Sequence, residues 1–423
     1  MTYDEKIEAE PAKLALNYTR EAGLLPEPVP LDPYRTKDFF EAERDNVFGR
    51  SWLVLARIEE LPNIGDYLVR EIEVLGASVI LTHARDGQIR AFHNVCSHRA
   101  NQVVWDKKGN ASRLLCRYHN WTYGNDGRLI GVPDEGSFEN LDKAKCGLSK
   151  ITCEVWEGFV FVNLERQPST TLKEFLGDLG PYLEGIEYKY ADNPIVIEAE
   201  LECNWKVALD AFMEAYHIPA IHANTIGKTF SSQDNKFAHI LGARFFGPHR
   251  SAALYGNPDY VPSGEAYVER LAYEAMGTAN VVAAGSKDDM ASYLAHPAVN
   301  FPKAKEWVHD VHVIFPNFHI DTGQGGFLTH QFWPLTPNTC RYEARFYIAE
   351  ADNARLRFMQ EAYICRVLEV LLEDLSNVKR TQRGIDSGGK DFMVLQQNEV
   401  MIRHSVHHVE RWARAHSVAE ATA

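Results

Sequence analysis

The chain has 423 residues, beyond the roughly 250 to 300 at which a single hydrophobic core stops growing, so two domains are expected. Hydrophobic residues make up 45% and charged residues 24%, an ordinary globular balance that excludes a disordered or fibrous chain. A formal charge of −14 argues against nucleic acid or an anionic membrane as the main partner, because both reward clustered Lys and Arg.

The N-terminus MTYDEKIEAEPAK is acidic rather than basic-then-apolar, and no apolar run reaches the roughly 18 residues of a membrane span. A cytoplasmic protein is therefore expected. A helix is expected from about Glu10 to Glu21, followed by LLPEPVPLDPY, whose prolines favour an extended connector; residues 1–40 read as an arm. From about 50 to 165 come short strand-like runs, SWLVLARI, DYLVREI, ASVILTHA, QIRAFHNV and GFVFVNL, separated by Gly, Asn and Asp turns. This is the pattern of a small antiparallel β domain, taken as 41–165.

Beyond Leu164 helices and strands mix. Helical patterns fall near 172–185, 204–218 and 354–382, and strand-like runs at 195–203, 307–315, 327–335 and 340–348. An antiparallel sheet with helices packed on it, an α+β arrangement over 166–423, follows.

Within the first domain, CSHRANQVVWDKKGNASRLLCRYHNW holds Cys96-x-His98, then 17 intervening residues, then Cys116-x-x-His119. Each half offers one thiolate and one imidazole, whereas a structural zinc finger usually pairs like with like. A Rieske 2Fe-2S centre needs two Cys on one iron and two His on the other, so this pattern matches it. The other cysteines, Cys146, Cys153, Cys203, Cys340 and Cys365, lack ligand-spaced neighbours and read as packing residues.

At these residues the chain resembles the Rieske non-haem iron aromatic-ring-hydroxylating oxygenases, in their large (alpha) or only oxygenase subunit. The boxes of that family read close to CxHRG and CxYHGW; here they read CSHRA and CRYHNW, so Ala100 and Asn120 replace glycines. Those departures bear on loop backbone angles more than on the four ligands. The resemblance implies a β-sandwich-like Rieske domain and a helix-grip catalytic domain carrying a mononuclear Fe(II).

The stretch NWKVALDAFMEAYHIPAIH has helical periodicity, with Asp210, Glu214 and His217 on one face. His222 lies five residues past His217, about 140° round an ideal helix, and Pro219 between them is expected to bend the chain so that both rings reach one metal. Two histidines and a carboxylate would make the facial triad of a non-haem iron oxygenase. Downstream, Val367, Leu371 and Val378 trace an apolar stripe that includes Asp374, while Glu373 is expected to turn toward the polar face with Glu369 and Arg380. Asp374 is the better third ligand and Asp386 the weaker candidate; a cap or buried ion pair is the alternative role for Asp374.

From the resemblance, Glu214 is the counterpart of the acid that links the first His ligand to a cluster His of a neighbouring subunit, and His119 is the contact it implies. Most ring-hydroxylating members have Asp there; Glu is the choice of the branch that oxidises quaternary amines. Asp210 is assigned a supporting role near the iron. The resemblance also implies a head-to-tail homotrimer, with or without a beta subunit, using O2. NADH or NADPH electrons would come through a separate reductase, with or without a ferredoxin, since no strand-GxGxxG-helix fingerprint is present.

The pocket is expected among Phe230, Phe237, Phe245, Phe246, Tyr255 and Phe315, with Arg244 and Arg250 as available cations. His309, His312, His319, His330, His404, His407 and His408 read as structural. The activity implied is hydroxylation or cis-dihydroxylation of an aromatic or other hydrophobic small molecule. C–N or C–O cleavage by a monooxygenase is the second reading, and an electron carrier without a second iron the third.

Overall fold

A computed structural model describes residues 17–186, 194–265, 267–268, 270–271, 287–323, 326–348, 350–351 and 353–423. Most of the helix expected from Glu10 lies outside them; its last turn is present as Tyr18–Glu21. The first domain is built on a seven-stranded antiparallel sheet. Its strands, in spatial order, are β2 (Leu53–Arg57), β11 (Phe159–Asn163), β10 (Lys150–Trp156), β5 (Ile89–His93), β4 (Ala77–His83), β3 (Asp66–Ile72) and β6 (Lys108–Asn110). A three-stranded sheet of β7 (Arg113–Leu115), β8 (Thr122–Gly124) and β9 (Leu129–Gly131) stands beside it. All five runs read as strands are strands. The short β6 to β9 were not anticipated, because three residues between Gly, Asn and Asp turns are too few to show a period of two.

The second domain is a seven-stranded antiparallel sheet: β12 (Ile195–Leu201), β18 (Thr339–Ile348), β17 (Gly326–Thr336), β16 (Phe318–Gly323), β15 (Trp307–Ile314), β14 (His249–Tyr255) and β13 (Gly242–Phe246). The helix Ala354–Asp386 lies against it, started by Asn353, whose side chain accepts from the Leu356 amide. Ile364, Leu371, Val378 and Ile385 of this helix are buried, and Phe346 meets Tyr363 edge-to-face. The fold is α+β, as expected. No helix among the described residues is long and apolar enough to cross a membrane.

One hydrophobic cluster runs through both sheets, from Val54, Phe159 and Phe161 to Phe318, Phe327 and Phe346. Arg57 stacks over Phe159, and Phe159 meets Phe318 and Phe327 edge-to-face, so aromatic contacts cross the junction. The N-terminal segment is fastened to the second domain. Val29–Pro30 (β1) pairs with Phe392–Met393 (β19), and the Tyr34 hydroxyl donates to Asp210 at 2.7 Å.

Glu43, fully buried, receives the Lys206 ammonium at 2.5 Å and the Trp205 indole N–H at 3.2 Å. Burial pushes Glu43 up and Lys206 down, and their mutual attraction opposes it. Removing one partner strands a charge in the core, which costs about 3–5 kcal/mol. Lys206→Met should therefore lower the midpoint of urea unfolding by that equivalent. Lys206→Met with Glu43→Gln should recover much of it.

Candidate functional site: two donor clusters and a cavity

The two motif loops of the first domain are built alike. The Cys96 amide donates to Asn101 O and the Ala100 amide to Cys96 O; the Cys116 amide donates to Trp121 O and the Asn120 amide to Cys116 O. Both closures need a left-handed residue, and Ala100 (φ 57°) and Asn120 (φ 58°) supply it. Replacing glycine thus leaves the loop geometry intact, at a steric cost for Ala100 of about 1–2 kcal/mol; Asn tolerates the region better. Ala100→Gly should accordingly raise thermal stability by about 1 kcal/mol, read as a later loss of cluster absorbance on heating.

These loops bring Cys96, His98, Cys116 and His119 together, with both cysteines buried and both histidines half-buried. The His98 and His119 rings lie 4.6 Å apart at 74°, and Trp121 stacks on His98 at 5.1 Å. Tyr123 Oη lies 3.2 Å from Cys96 Sγ, and Asn101 Nδ2 donates toward Cys116 Sγ at 3.8 Å. His98 Nδ1 is buried with no hydrogen-bond partner among the described residues. Two paired sulfurs receiving donors, and an imidazole nitrogen aimed at no protein atom, fit a 2Fe-2S cluster with two Cys and two His ligands.

In the second domain the expected long helix stops early. It runs Trp205–Asp210, the chain then turns, and Ile218–Ile221 forms one further helical turn. Pro219 does not bend a helix between the histidines; it is the second residue of that short turn, with His217 as its N-cap and His222 as its C-cap. Proline has no amide to donate to the Ala215 carbonyl, which instead accepts from Ile218. The break puts the two rings on a tighter path than one helix face allows.

His217 Nε2, His222 Nε2 and Asp374 Oδ1 form a triangle with edges of 3.2, 3.3 and 3.0 Å. Atoms held about 2.1 Å from one metal at right angles would stand about 3.0 Å apart, so these three atoms would fit a metal that takes them at right angles. Both opposite nitrogens are engaged: His217 Nδ1 with Glu214 Oε1, and His222 Nδ1 with Glu373 Oε2 at 2.7 Å. Those carboxylates take the Nδ1 hydrogens and direct both Nε2 lone pairs inward. Burial alone would lower His217, yet Asp374 and Glu214 pull it up to about 10. The site carries an excess of negative charge suited to a dication.

Asp374 is buried on the helix stripe, as its spacing requires. Glu373 does not turn to the polar face; it accepts from His222 and from Thr225 Oγ1 at 2.6 Å. A helical period assigns a face but cannot reveal a ring arriving from another element. Asp386 is exposed at the helix end, where Gln382 donates to it, and is no ligand candidate. Asp210 is not among the residues lining the cavity beside the triad; the break turns its carboxylate toward Tyr34.

Burial raises the Asp210 carboxyl from its ordinary 3.8 to about 7, against the hydrogen bond from Tyr34. A raised carboxyl means that the folded state binds the proton more tightly, so its contribution is greatest below 3.8 and is lost as pH rises to about 7. Stability relative to Asp210→Asn should fall over that window and be level above it, as thermal midpoints at several pH values would show.

The triad opens on a cavity of about 190 Å³. It lies between the sheet face bearing Val311, Asp321, Leu328 and Phe346, the long helix, and the segment from Ala211 to Phe230. Of the aromatics expected there, only Phe230 lines it. Phe315 packs on Trp412 and Phe245 on His404. Arg250 is buried against Met213 and Ser405, and Arg244 stacks on Phe301, so neither cation faces the cavity; Arg366 does. His309, His319 and His330, read as structural, line it too. Alternation on β15, β16 and β17 points to one shared face, but sequence alone does not say which face the helix covers.

A family profile described as "Rieske [2Fe-2S] domain" matches residues 51–145, and one described as "Ring hydroxylating alpha subunit (catalytic domain)" matches 183–415, more than half of the chain. The chain belongs to the Rieske ring-hydroxylating oxygenase alpha subunits. With that family come a Rieske 2Fe-2S cluster and a mononuclear non-haem iron.

The chain is similar to the carnitine monooxygenase oxygenase subunit of Escherichia coli K12, 31% identical over 50% of this chain and 56% of that protein. It is likewise similar to the large oxygenase component of the naphthalene 1,2-dioxygenase system of Pseudomonas aeruginosa, 34% identical over 45% of this chain and 43% of that one. It thus spans about half the length of the curated relatives it matches. In fold, this alpha subunit is similar to a quaternary ammonium Rieske monooxygenase (TM-score 0.70, 20% identity, 95% of this chain and 99% of the other). It is also similar to naphthalene 1,2-dioxygenase from Rhodococcus (TM-score 0.71, 21% identity, 92% and 95%).

Proposed function

We propose that this alpha subunit is a terminal oxygenase that oxidises a small molecule with O2, with Cys96, His98, Cys116 and His119 holding the cluster and His217, His222 and Asp374 the iron. The observation that carries the reading is the triangle of two inward Nε2 atoms and one carboxylate oxygen, each ring backed by its own glutamate. When bound, iron in such a face offers open positions for O2, and a Rieske centre supplies single electrons. Glu214 and Glu373 fix the ring tautomers, Asp374 balances charge, and the apolar walls exclude water from the reacting position.

The proposed assembly is a head-to-tail homotrimer, with or without a beta subunit. Exposed aromatics support it at both ends of the electron path: Trp105 and Tyr118 beside the cluster loops, Tyr216 and Phe237 beside His217. Two unlike patches on one chain suit a heterologous contact that closes into a ring. Glu214 is then the bridge from His217 to the neighbouring subunit's cluster, and His119 the ring it would meet. Electrons come from NADH or NADPH through a separate reductase, with or without a ferredoxin, in the cytoplasm.

The substrate is an aromatic or other hydrophobic molecule of about one ring, since a cavity of roughly 150 Å³ takes up benzene and this one is about 190 Å³. Hydroxylation or cis-dihydroxylation, as in aromatic hydrocarbon catabolism, is the first reading. C–N or C–O cleavage is the second, favoured by Glu214 in place of Asp and by relatives named for carnitine and for N-demethylation of N,N-dimethyl phenylurea.

Purified protein should hold about three iron atoms per chain. His217→Ala should lose one of them and all turnover while keeping the visible Rieske spectrum. Wild-type protein with a full cluster and only the cluster's iron would instead indicate an electron carrier. Labelled O2 separates one incorporated atom from two.

A further inference from the structure

The cavity beside the triad is apolar along Ile218, Phe230, Leu254, Leu328 and Phe346, with Arg366 of the long helix and the wall formed by β16 and β17 as its polar parts away from the triad. His319 and Asp321 alternate on one face of β16, and His330 stands opposite His319 on β17. The far nitrogen of each ring is occupied. His319 Nε2 lies 3.0 Å from the Phe212 carbonyl, and His330 Nδ1 lies 2.7 Å from the Tyr342 hydroxyl while its Nε2 reaches Asp321 Oδ2 at 3.0 Å. A carbonyl only accepts, so His319 carries its hydrogen on Nε2 and presents a bare lone pair at Nδ1.

That Nδ1 is buried, on a residue 1% exposed, and has no hydrogen-bond partner among the described residues. It lies 3.6 Å from Asp321 Oδ1. Burial pushes the His319 ring down to about 4, so it is neutral at ordinary pH. Burial alone would raise Asp321, but the hydrogen bond from His330 opposes it and the carboxyl lies below its usual range. Two acceptors, one of them charged, therefore stand 3.6 Å apart across one gap in the cavity lining, and the buried Nδ1 has no donor among the described residues.

We infer that this gap is an amine subsite of the substrate cavity, taking a primary or secondary ammonium group whose two N–H bonds reach His319 Nδ1 and Asp321 Oδ1. This rests on reading the triad as the oxidising centre, and it names the substrate class of that centre: a small amine whose carbon skeleton occupies the apolar part of the cavity. A hydroxyl has one hydrogen to give and no charge for Asp321. A quaternary ammonium has charge but no N–H, and a carboxylate is repelled.

Calorimetric titration of the iron-loaded protein with benzylamine, benzyl alcohol and benzyltrimethylammonium tests this. Benzylamine should bind about ten- to a hundredfold more tightly than the other two. Asp321→Asn and, separately, His319→Phe should each reduce that preference by about tenfold, with the Rieske spectrum and circular dichroism unchanged. Equal affinities for the three probes, no measurable amine binding, or a preference that survives both substitutions would overturn the inference. So would a further tightly held metal ion that Asp321→Asn releases, since His319, Asp321 and His330 would then be cation ligands. Iron content and O2 uptake of the same preparations report on the oxygenase reading separately, so either claim can fail while the other stands.

Discussion

Three acceptor atoms, His217 Nε2, His222 Nε2 and Asp374 Oδ1, stand 3.0 to 3.3 Å from one another in a largely buried place. Such an arrangement is costly around nothing and favourable around a cation. Much of the local architecture follows from holding it. The helix from Trp205 ends at Asp210 so that the chain can turn and offer both rings, and the long helix delivers Asp374 on its buried stripe. Glu214 and Glu373 complete the set by occupying the outer nitrogens.

The frame behind this site is a pair of sheets sharing one hydrophobic cluster, with the N-terminal segment tied across the second domain. The same short helix that leads toward His217 also supplies Lys206 to Glu43 and Asp210 to Tyr34. One local segment thus serves two ends: its helix is anchored in a buried polar network, and the turn beyond it leads into the site. A network of this kind gives a fixed position more than it gives stability, because desolvation offsets much of the attraction. On the cavity side, the antiparallel sheet sets His319, Asp321 and His330 among apolar neighbours, which gives the pocket a polar wall besides the triad and Arg366.

Much of this was legible in the residues. The mixed Cys-His boxes have a spacing that few other sites need, the five strand runs are short, β-branched or aromatic and bounded by turn residues, and Asp374 is betrayed by being a carboxylate on an apolar stripe. What misled was local continuity. The run from Asn204 to His222 has helical periodicity, yet tertiary contacts from Tyr34 to Asp210 and from His319 to the Phe212 carbonyl hold it in a turn. Glu373 looked solvent-facing because its partner, His222, is 151 positions away. The cavity histidines and Asp321 gave no signal, since a strand's alternation does not say which face is covered.

The sequence by itself determined the chemistry available: four ligands of cluster type, two histidines and an acid of iron type, and an α+β chain to carry them. Those are properties of side chains and of periods of two and 3.6, which are local. Only the tertiary structure decided that Glu373 backs His222, that Asp210 belongs to the anchor and not the cavity, and that the β16–β17 wall of the cavity is polar. These depend on elements far apart in sequence meeting at distances of about 3 Å, the range in which hydrogen bonds and ion pairs act.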